Sequence, residues 1–232
     1  MKLVKSLMVG GVRVGLVREL VWMDLSCPGR ADFTVRSEKP LSGFVQMFIG
    51  DAGREKATEF FSGYVVKSHT VDRAQQRIFC RELAAILRRI IPVSIRNASL
   101  RDILHVYARK TGLEFLVPDE PYAQRRHHCF QEVGSGIHGL DSLGEIFDIP
   151  DFVWQQQRGG KIFVGAWEDS RWAQMPFSVP ESFFQDVELD GTKTIQAIPG
   201  LRPGVRFNDQ YLTSLQLDGH YMRIKCENQL NV

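Results

Sequence analysis

Cysteine is scarce and scattered. Cys27, Cys80, Cys129 and Cys226 lie far apart with no Cys-x-x-Cys spacing, which excludes both a zinc knuckle and a disulfide framework as organising devices. Long apolar runs are missing too: no stretch approaches the roughly 20 residues a membrane helix requires. The opening Met1-Lys2-Leu3-Val4-Lys5-Ser6-Leu7-Met8-Val9 starts like a signal peptide, but Arg13, Arg18, Glu19 and Asp24 interrupt its apolar core, and it reads instead as a first strand. Charge of one sign is not in excess. Against 29 basic residues stand 27 acidic ones, a formal net charge of +2, so there is no global field to condense on nucleic acid or an anionic membrane. Internal repeats and low-complexity tracts are also absent. What remains is the composition of an ordinary globular protein, with 44% hydrophobic and 24% charged residues over 232 positions, suited to the reducing bacterial cytoplasm.

Short strands dominate the first third. Apolar or alternating runs at 12–17, 20–25, 33–36, 44–49 and 60–67, with a return strand at 76–80, are separated by Gly10-Gly11, Cys27-Pro28-Gly29, Pro40 and Asp51-Ala52-Gly53. This spacing predicts a small antiparallel barrel or sandwich. After residue 81 the period changes. Leu83, Ile86, Leu87, Ile90 and Ile91 recur at helical spacing until Pro92. The next helix is fully punctuated: Ser99 caps its start with Asp102 three residues on, Leu100, Ile103, Leu104, Tyr107 and Ala108 form one stripe, and Gly112 supplies the left-handed end. A strand at 113–117, a helix at 140–147 and a hairpin of 152–157 and 161–167 around Arg158-Gly159-Gly160 complete this segment. From about Met175 strands return, at 183–189, 192–197, 205–207, 211–217 and 221–226, with hairpin turns at Asp190-Gly191 and Asp218-Gly219 and a stiff Pro199-Gly200-Leu201-Arg202-Pro203-Gly204 connector. The expected fold is α+β, with antiparallel β-barrel-like domains flanking a small α/β module of two or three helices. Its divisions are 1–80, 81–170 and 171–232, the last being a second barrel or the completion of the first.

No residue set carries chemistry. His69, His105, His127, His128, His138 and His220 include the run His127-His128-Cys129, but neighbours on a strand point to opposite faces, and no His-Glu-x-x-His pattern accompanies them. Asp119, Glu120 and Asp141 lie near in sequence, and the bland reading of this stretch is a polar loop before the second helix. Ser62 and Ser135 are glycine-flanked without the Gly-x-Ser-x-Gly elbow, and Gly134-Ser135-Gly136 reads as a turn entering a helix. Arg88, Arg89, Arg96, Arg101 and Arg109 form one basic set and Arg125-Arg126 another. Glu82, Asp102, Glu114, Asp119 and Glu120 dilute both, so a solvated face or interface rim fits better than a nucleic-acid surface. Trp154, Trp167 and Trp172, with Phe152 and Phe163, read as core. Glu181, Asp186, Glu188 and Asp190 are the carboxylates a glycan hydrolase would need, but their spacing reads as a solvated hairpin face. No catalytic, cofactor-binding or metal-binding residue is therefore nominated, no cofactor is expected, and the chain is read as a non-enzyme.

One further pattern lies in the order of its parts: Phe61-Ser62-Gly63-Tyr64-Val65, then Ile78-Phe79-Cys80-Arg81-Glu82-Leu83, then Ser99-Leu100-Arg101-Asp102-Ile103-Leu104 ending at Thr111-Gly112-Leu113. A fainter echo runs from Val9-Gly10-Gly11 to the proline-rich connector. In this the sequence resembles the baseplate hub proteins of contractile-tailed phages, the Mu-like hub and late control protein D group, to which type VI secretion spike proteins are related. The chain is shorter than such hubs usually are. The resemblance implies a structural phage or prophage tail protein: a homotrimer in which two similar barrels per chain match a hexameric tube, joining tail tube to spike. Its partners would be itself, the tail tube and the spike, with no membrane, and with nucleic acid only in passage through a central channel. It would be assembled in the bacterial cytoplasm and end in the virion tail. A second resemblance, over 93–117 alone, is to the short β-α-β binding modules of secretins in transport and secretion assemblies. A tail-associated hydrolase is the remaining alternative.

Overall fold

A computed structural model of the chain describes residues 3–51 and 57–230. Ala52 and Gly53 of the fourth expected turn, and the Met1-Lys2 start of the opening strand, lie outside the described residues. The first strands are β1 (Leu3–Val9), β2 (Val12–Asp24), β3 (Arg30–Arg36), β4 (Phe44–Asp51), β5 (Thr58–Thr70) and β6 (Gln75–Glu82). They pair antiparallel in the order β1-β4-β5-β6-β3-β2, and β2 returns to β1 through Leu7↔Val14 to Val9↔Val12, closing a six-stranded barrel. Gly10 and Gly11 make that closure possible, since both central residues of the turn have positive φ, 58° and 81°. Period-two alternation fills the interior. Ala31, Phe33 and Val35 point inward from β3, Val45, Met47 and Ile49 from β4, and Ile78 and Cys80 from β6, all fully buried. Each of the larger side chains contributes about 1.5–3 kcal/mol by leaving water.

The middle segment begins with a 3-10 turn at Leu83–Arg88, then β7 (Val93–Ser99), α1 (Leu100–Thr111), β8 (Phe115–Leu116), α2 (Pro121–Gln124), β9 (Arg126–Glu132), α3 (Gly136–Asp141), α4 (Leu143–Ile146), β10 (Phe152–Gln156) and β11 (Ile162–Ala166). β7 and β9 form an antiparallel ribbon. β10, β11 and β8 form a second sheet in which β8 runs parallel to β11. A separate core holds this unit, with Leu100, Ile103, Leu104 and Tyr107 of α1 packed among Leu140, Leu143, Phe147, Trp154 and Val164.

The last strands are β12 (Phe184–Val187), β13 (Lys193–Gln196), β14 (Arg206–Phe207), β15 (Gln210–Asp218) and β16 (Tyr221–Glu227). They are joined to the barrel. The edge of β2 that β1 occupies at 12–14 is taken further along by β15, through Leu20↔Asp218 to Asp24↔Ser214, and the order continues β15-β16-β13-β12. Ile195, Leu215, Leu217, Met222 and Ile224 share one apolar cluster with Leu7, Val21 and Phe33. The fold is thus mostly antiparallel β with a closed barrel and short helices.

Several expectations need correction. The runs at 12–17 and 20–25 are one strand, because a bulge between Leu16 and Arg18 carries the chain through, and Glu19 is buried against Lys5 instead of breaking it. The helical spacing at 83–91 yields only the short 3-10 turn, after which Arg89 is already extended. The helix at 140–147 is two short helices meeting at Ser142. The polar loop around His127 is strand β9, whose residues 126–129 all face solvent. The strands flanking α1 enter different sheets, β7 pairing with β9 and β8 with β11.

Candidate assembly interface

The residues weighed for chemistry disperse. Among the described residues no group of three His, Cys, Asp or Glu side chains could hold a metal ion. His69, His105 and His220 are exposed on separate elements. His127 Nδ1 contacts the Cys129 carbonyl at 2.9 Å, and His138 Nδ1 contacts Glu132 Oε2 at 2.7 Å. Burial pushes the Glu132 carboxyl up, but hydrogen bonds from the Gly134 N–H and from His138 outweigh it and leave the group below its ordinary value. Ser135 caps α3, its hydroxyl accepting from the His138 N–H at 3.2 Å. Ser62 is buried in β5. Its neighbour Gly63 is dictated by the ladder, since a Cβ there would overlap the Arg81 carbonyl oxygen. Glu181 and Asp186 are exposed, Glu188 pairs with Arg223 at 2.7 Å, and Asp190 folds back on Thr192. The three tryptophans are core, Trp154 donating to Asp141 at 2.6 Å and Trp167 to the Gly204 carbonyl at 2.7 Å.

The arginines of the two basic sets divide by the partners they find. Arg101 donates to the Pro118 carbonyl at 2.8 Å, Arg125 pairs with Asp148 at 2.6 Å, and Arg126 reaches the Asn97 carbonyl at 2.6 Å. Those charges are taken up within the chain. Arg88 donates to the Cys27 sulfur at 3.6 Å, and Arg89 lines a surface groove with Tyr64, Leu83 and Ile86. Beside them Ile90 and Val133 stand open, 76% and 71% exposed.

Two joints that no sequence signal marked hold the parts together. Gln156, buried in β10, donates to the Ser62 carbonyl at 2.9 Å and accepts from the Ala84 N–H at 3.0 Å, fastening the middle segment to the barrel. Arg202 of the connector pairs with Glu82 at 3.0 Å, both side chains almost fully buried, and Glu82 also accepts from the Gly29 N–H at 2.7 Å. Both depend on partners more than 70 residues away in sequence.

The surface with the clearest appetite for a partner is the outer edge of the large sheet. β12 is terminal, paired only with β13, and Phe183, Val187 and Leu189 on and beside it are exposed, together with Met175. A free edge offers unpaired N–H and C=O groups, and exposed apolar side chains add area to bury. A bulge at Gln185 twists this edge, one of the ways native edges avoid indiscriminate pairing.

Against known proteins, the architecture has clear counterparts. The 43 kDa tail protein of prophage MuSo2 from Shewanella oneidensis superposes with a TM-score of 0.70 at 11% identity, over 97% of each chain. A tail protein from Neisseria meningitidis MC58 gives 0.67 at 10% identity, covering 99% of this chain and 98% of that one. An Escherichia coli type VI secretion component, described as structurally similar to bacteriophage T4 tail proteins gp27 and gp5, gives 0.59 at 11% identity over 95% of this chain and 76% of that one. In sequence, an uncharacterised 58.7 kDa protein of Haemophilus phage HP1 is 29% identical over 229 residues, 98% of this chain. The chain spans about two fifths of that relative, 42% of its length. No family model matches. The fold is that of phage tail proteins and of their type VI secretion counterparts.

Proposed function

We propose that the chain is a structural subunit of a phage or prophage tail, the hub of the baseplate that joins tail tube to spike, and that it works through subunit interfaces without catalysis. The observation that carries this reading is the closed barrel whose sheet continues from the β2 edge through β15, β16, β13 and β12, in a fold matched over nearly the whole chain by tail proteins. Three copies form a ring. In it the segments 1–80 and 171–232 supply two barrel-like units per chain, six in all, to face a sixfold tube, and 81–170 is carried as a side module. Partners are further copies of the chain, the tube and the spike. Assembly takes place in the bacterial cytoplasm and the product is a component of the virion tail. The β12 edge, with Phe183, Val187 and Leu189, is the patch a neighbouring subunit covers.

Light scattering over a concentration series, followed by electron microscopy, tests this. A trimeric ring with an open centre is the expected result. A chain that stays monomeric at every concentration, and also when mixed with tail tube and spike proteins, removes the hub reading.

A further inference from the structure

Three arginines come together where the segments meet, and the Nε of each is buried without an acceptor among the described residues. Arg202, in the connector between β13 and β14, is 2% exposed; its Nη2 pairs with Glu82 and its Nε has no partner. Arg158, in the turn between β10 and β11, lies against the same connector, where a Cβ on Gly200 would sit 3.2 Å from its Nη2. Arg171 precedes Trp172, whose ring packs on Gly204 at the connector's end, and its guanidinium is 5.9 Å from that ring. Nε of Arg158 and of Arg171 is buried and unpaired, and neither residue has a carboxylate partner among the described residues.

The nearby carboxylates are already in use. Glu82 gives one oxygen to Arg202 and the other to the Gly29 N–H. Glu59 gives one to the Gly159 N–H at 2.8 Å and the other to Gln46 at 3.0 Å. Burial first, then the charges of Arg158 and Arg202, weaken the hold of Arg171 on its proton, which places the three cations within electrostatic reach of one another. A buried guanidinium N–H without an acceptor is destabilising, and the planar guanidinium group matches the geometry of an oxyanion.

We propose that Arg158, Arg171 and Arg202 form a binding site for an oxyanion, the chemistry shared by a free phosphate and by a carboxylate supplied from an acidic side chain of a neighbouring subunit. Its carboxylate arm rests on the proposed assembly, and its phosphate arm does not.

The test is thermal unfolding of the full chain in chloride, phosphate and acetate at matched pH and ionic strength, for the parent and for Arg158→Gln and Arg171→Gln. The expected result is that phosphate, acetate or both stabilise the parent beyond chloride, by about tenfold in the folding equilibrium at ten times the dissociation constant. Both variants lose that response, yet in chloride are no less stable than the parent, since each removes an unpaired cation. A phosphate-only response identifies a free phosphate as the ligand; an acetate response points to a carboxylate from a partner. Equal behaviour in all three salts, or a response kept by both variants, overturns the proposal. Should a variant fail to fold, calorimetric titration of the parent decides: saturable heat with phosphate or acetate upholds the site, and none with either sinks it.

Discussion

Tyr107 illustrates how one atom sets the tolerance of a core. Its ring is fully buried in α1, its hydroxyl has no hydrogen-bond partner, and burial raises its pKa further. An unmet buried hydroxyl is destabilising by about 1–3 kcal/mol, so Tyr107→Phe is expected to leave stability unchanged or raise it by up to that amount in urea denaturation. A loss would reveal a hydrogen bond that this packing does not contain. The Glu82–Arg202 pair gives the opposite expectation. Glu82→Gln strands Arg202 without its counter-charge and is expected to cost about 3–5 kcal/mol, whereas Glu82→Gln with Arg202→Met restores most of the loss, because the stranded cation is gone. If the two single losses simply add in the double variant, the residues are not coupled.

At the level of elements, α1 shows what a sequence can declare. Ser99 and Asp102 form the reciprocal box, with the Ser99 hydroxyl accepting from the Asp102 N–H at 3.2 Å and Asp102 accepting from the Ser99 N–H at 3.0 Å, and Gly112 ends the helix at φ 76°. Ser99→Ala is expected to cost about 0.5–2 kcal/mol. The backbone and hydroxyl donors of Ser99 hold the Asp102 carboxyl below its ordinary value. A lowered carboxylate contributes stability above its unfolded pKa and loses it as pH falls through the folded one. The stability gap between the parent and Asp102→Asn should therefore narrow below about pH 4, and a gap constant down to pH 2 would show that the cap does not titrate. Signals of this local kind also disclosed the hairpins at Gly159-Gly160 and Asp218-Gly219 and the alternating strands of the barrel. Elements held by distant partners were not legible. β9 presents four exposed residues in succession and turns only Phe130 and Glu132 inward, so its pairing with β7, and not its composition, makes it a strand. Glu19 reads as a break until Lys5 of β1 is beside it. The arginine cluster was invisible for the same reason, its members lying up to 44 residues apart, in two of the chain's three segments.

For the whole molecule the decisive feature is that β2 serves two neighbours along one edge, β1 near its start and β15 near its end. Because that edge is shared, the barrel and the terminal sheet bury one continuous cluster, and the barrel cannot keep its contacts at Val21 and Met23 if β15 leaves. Leu215 stands opposite both Met23 and Ile224, is 1% exposed, and belongs to that cluster. Leu215→Ala is expected to cost about 2–5 kcal/mol. The informative measurement is where the loss is felt. In one cooperative unit, hydrogen exchange speeds up in β3 and β6 of the barrel as much as in β15 and β16, and denaturation remains a single transition for those strands. Faster exchange confined to residues 210–227, with β3 and β6 unchanged, would show instead that the terminal sheet opens independently. The middle segment has its own core around Tyr107 and Trp154 although Val153, Phe163 and Trp167 join the barrel's cluster, and it is expected to report the substitution less than the barrel does.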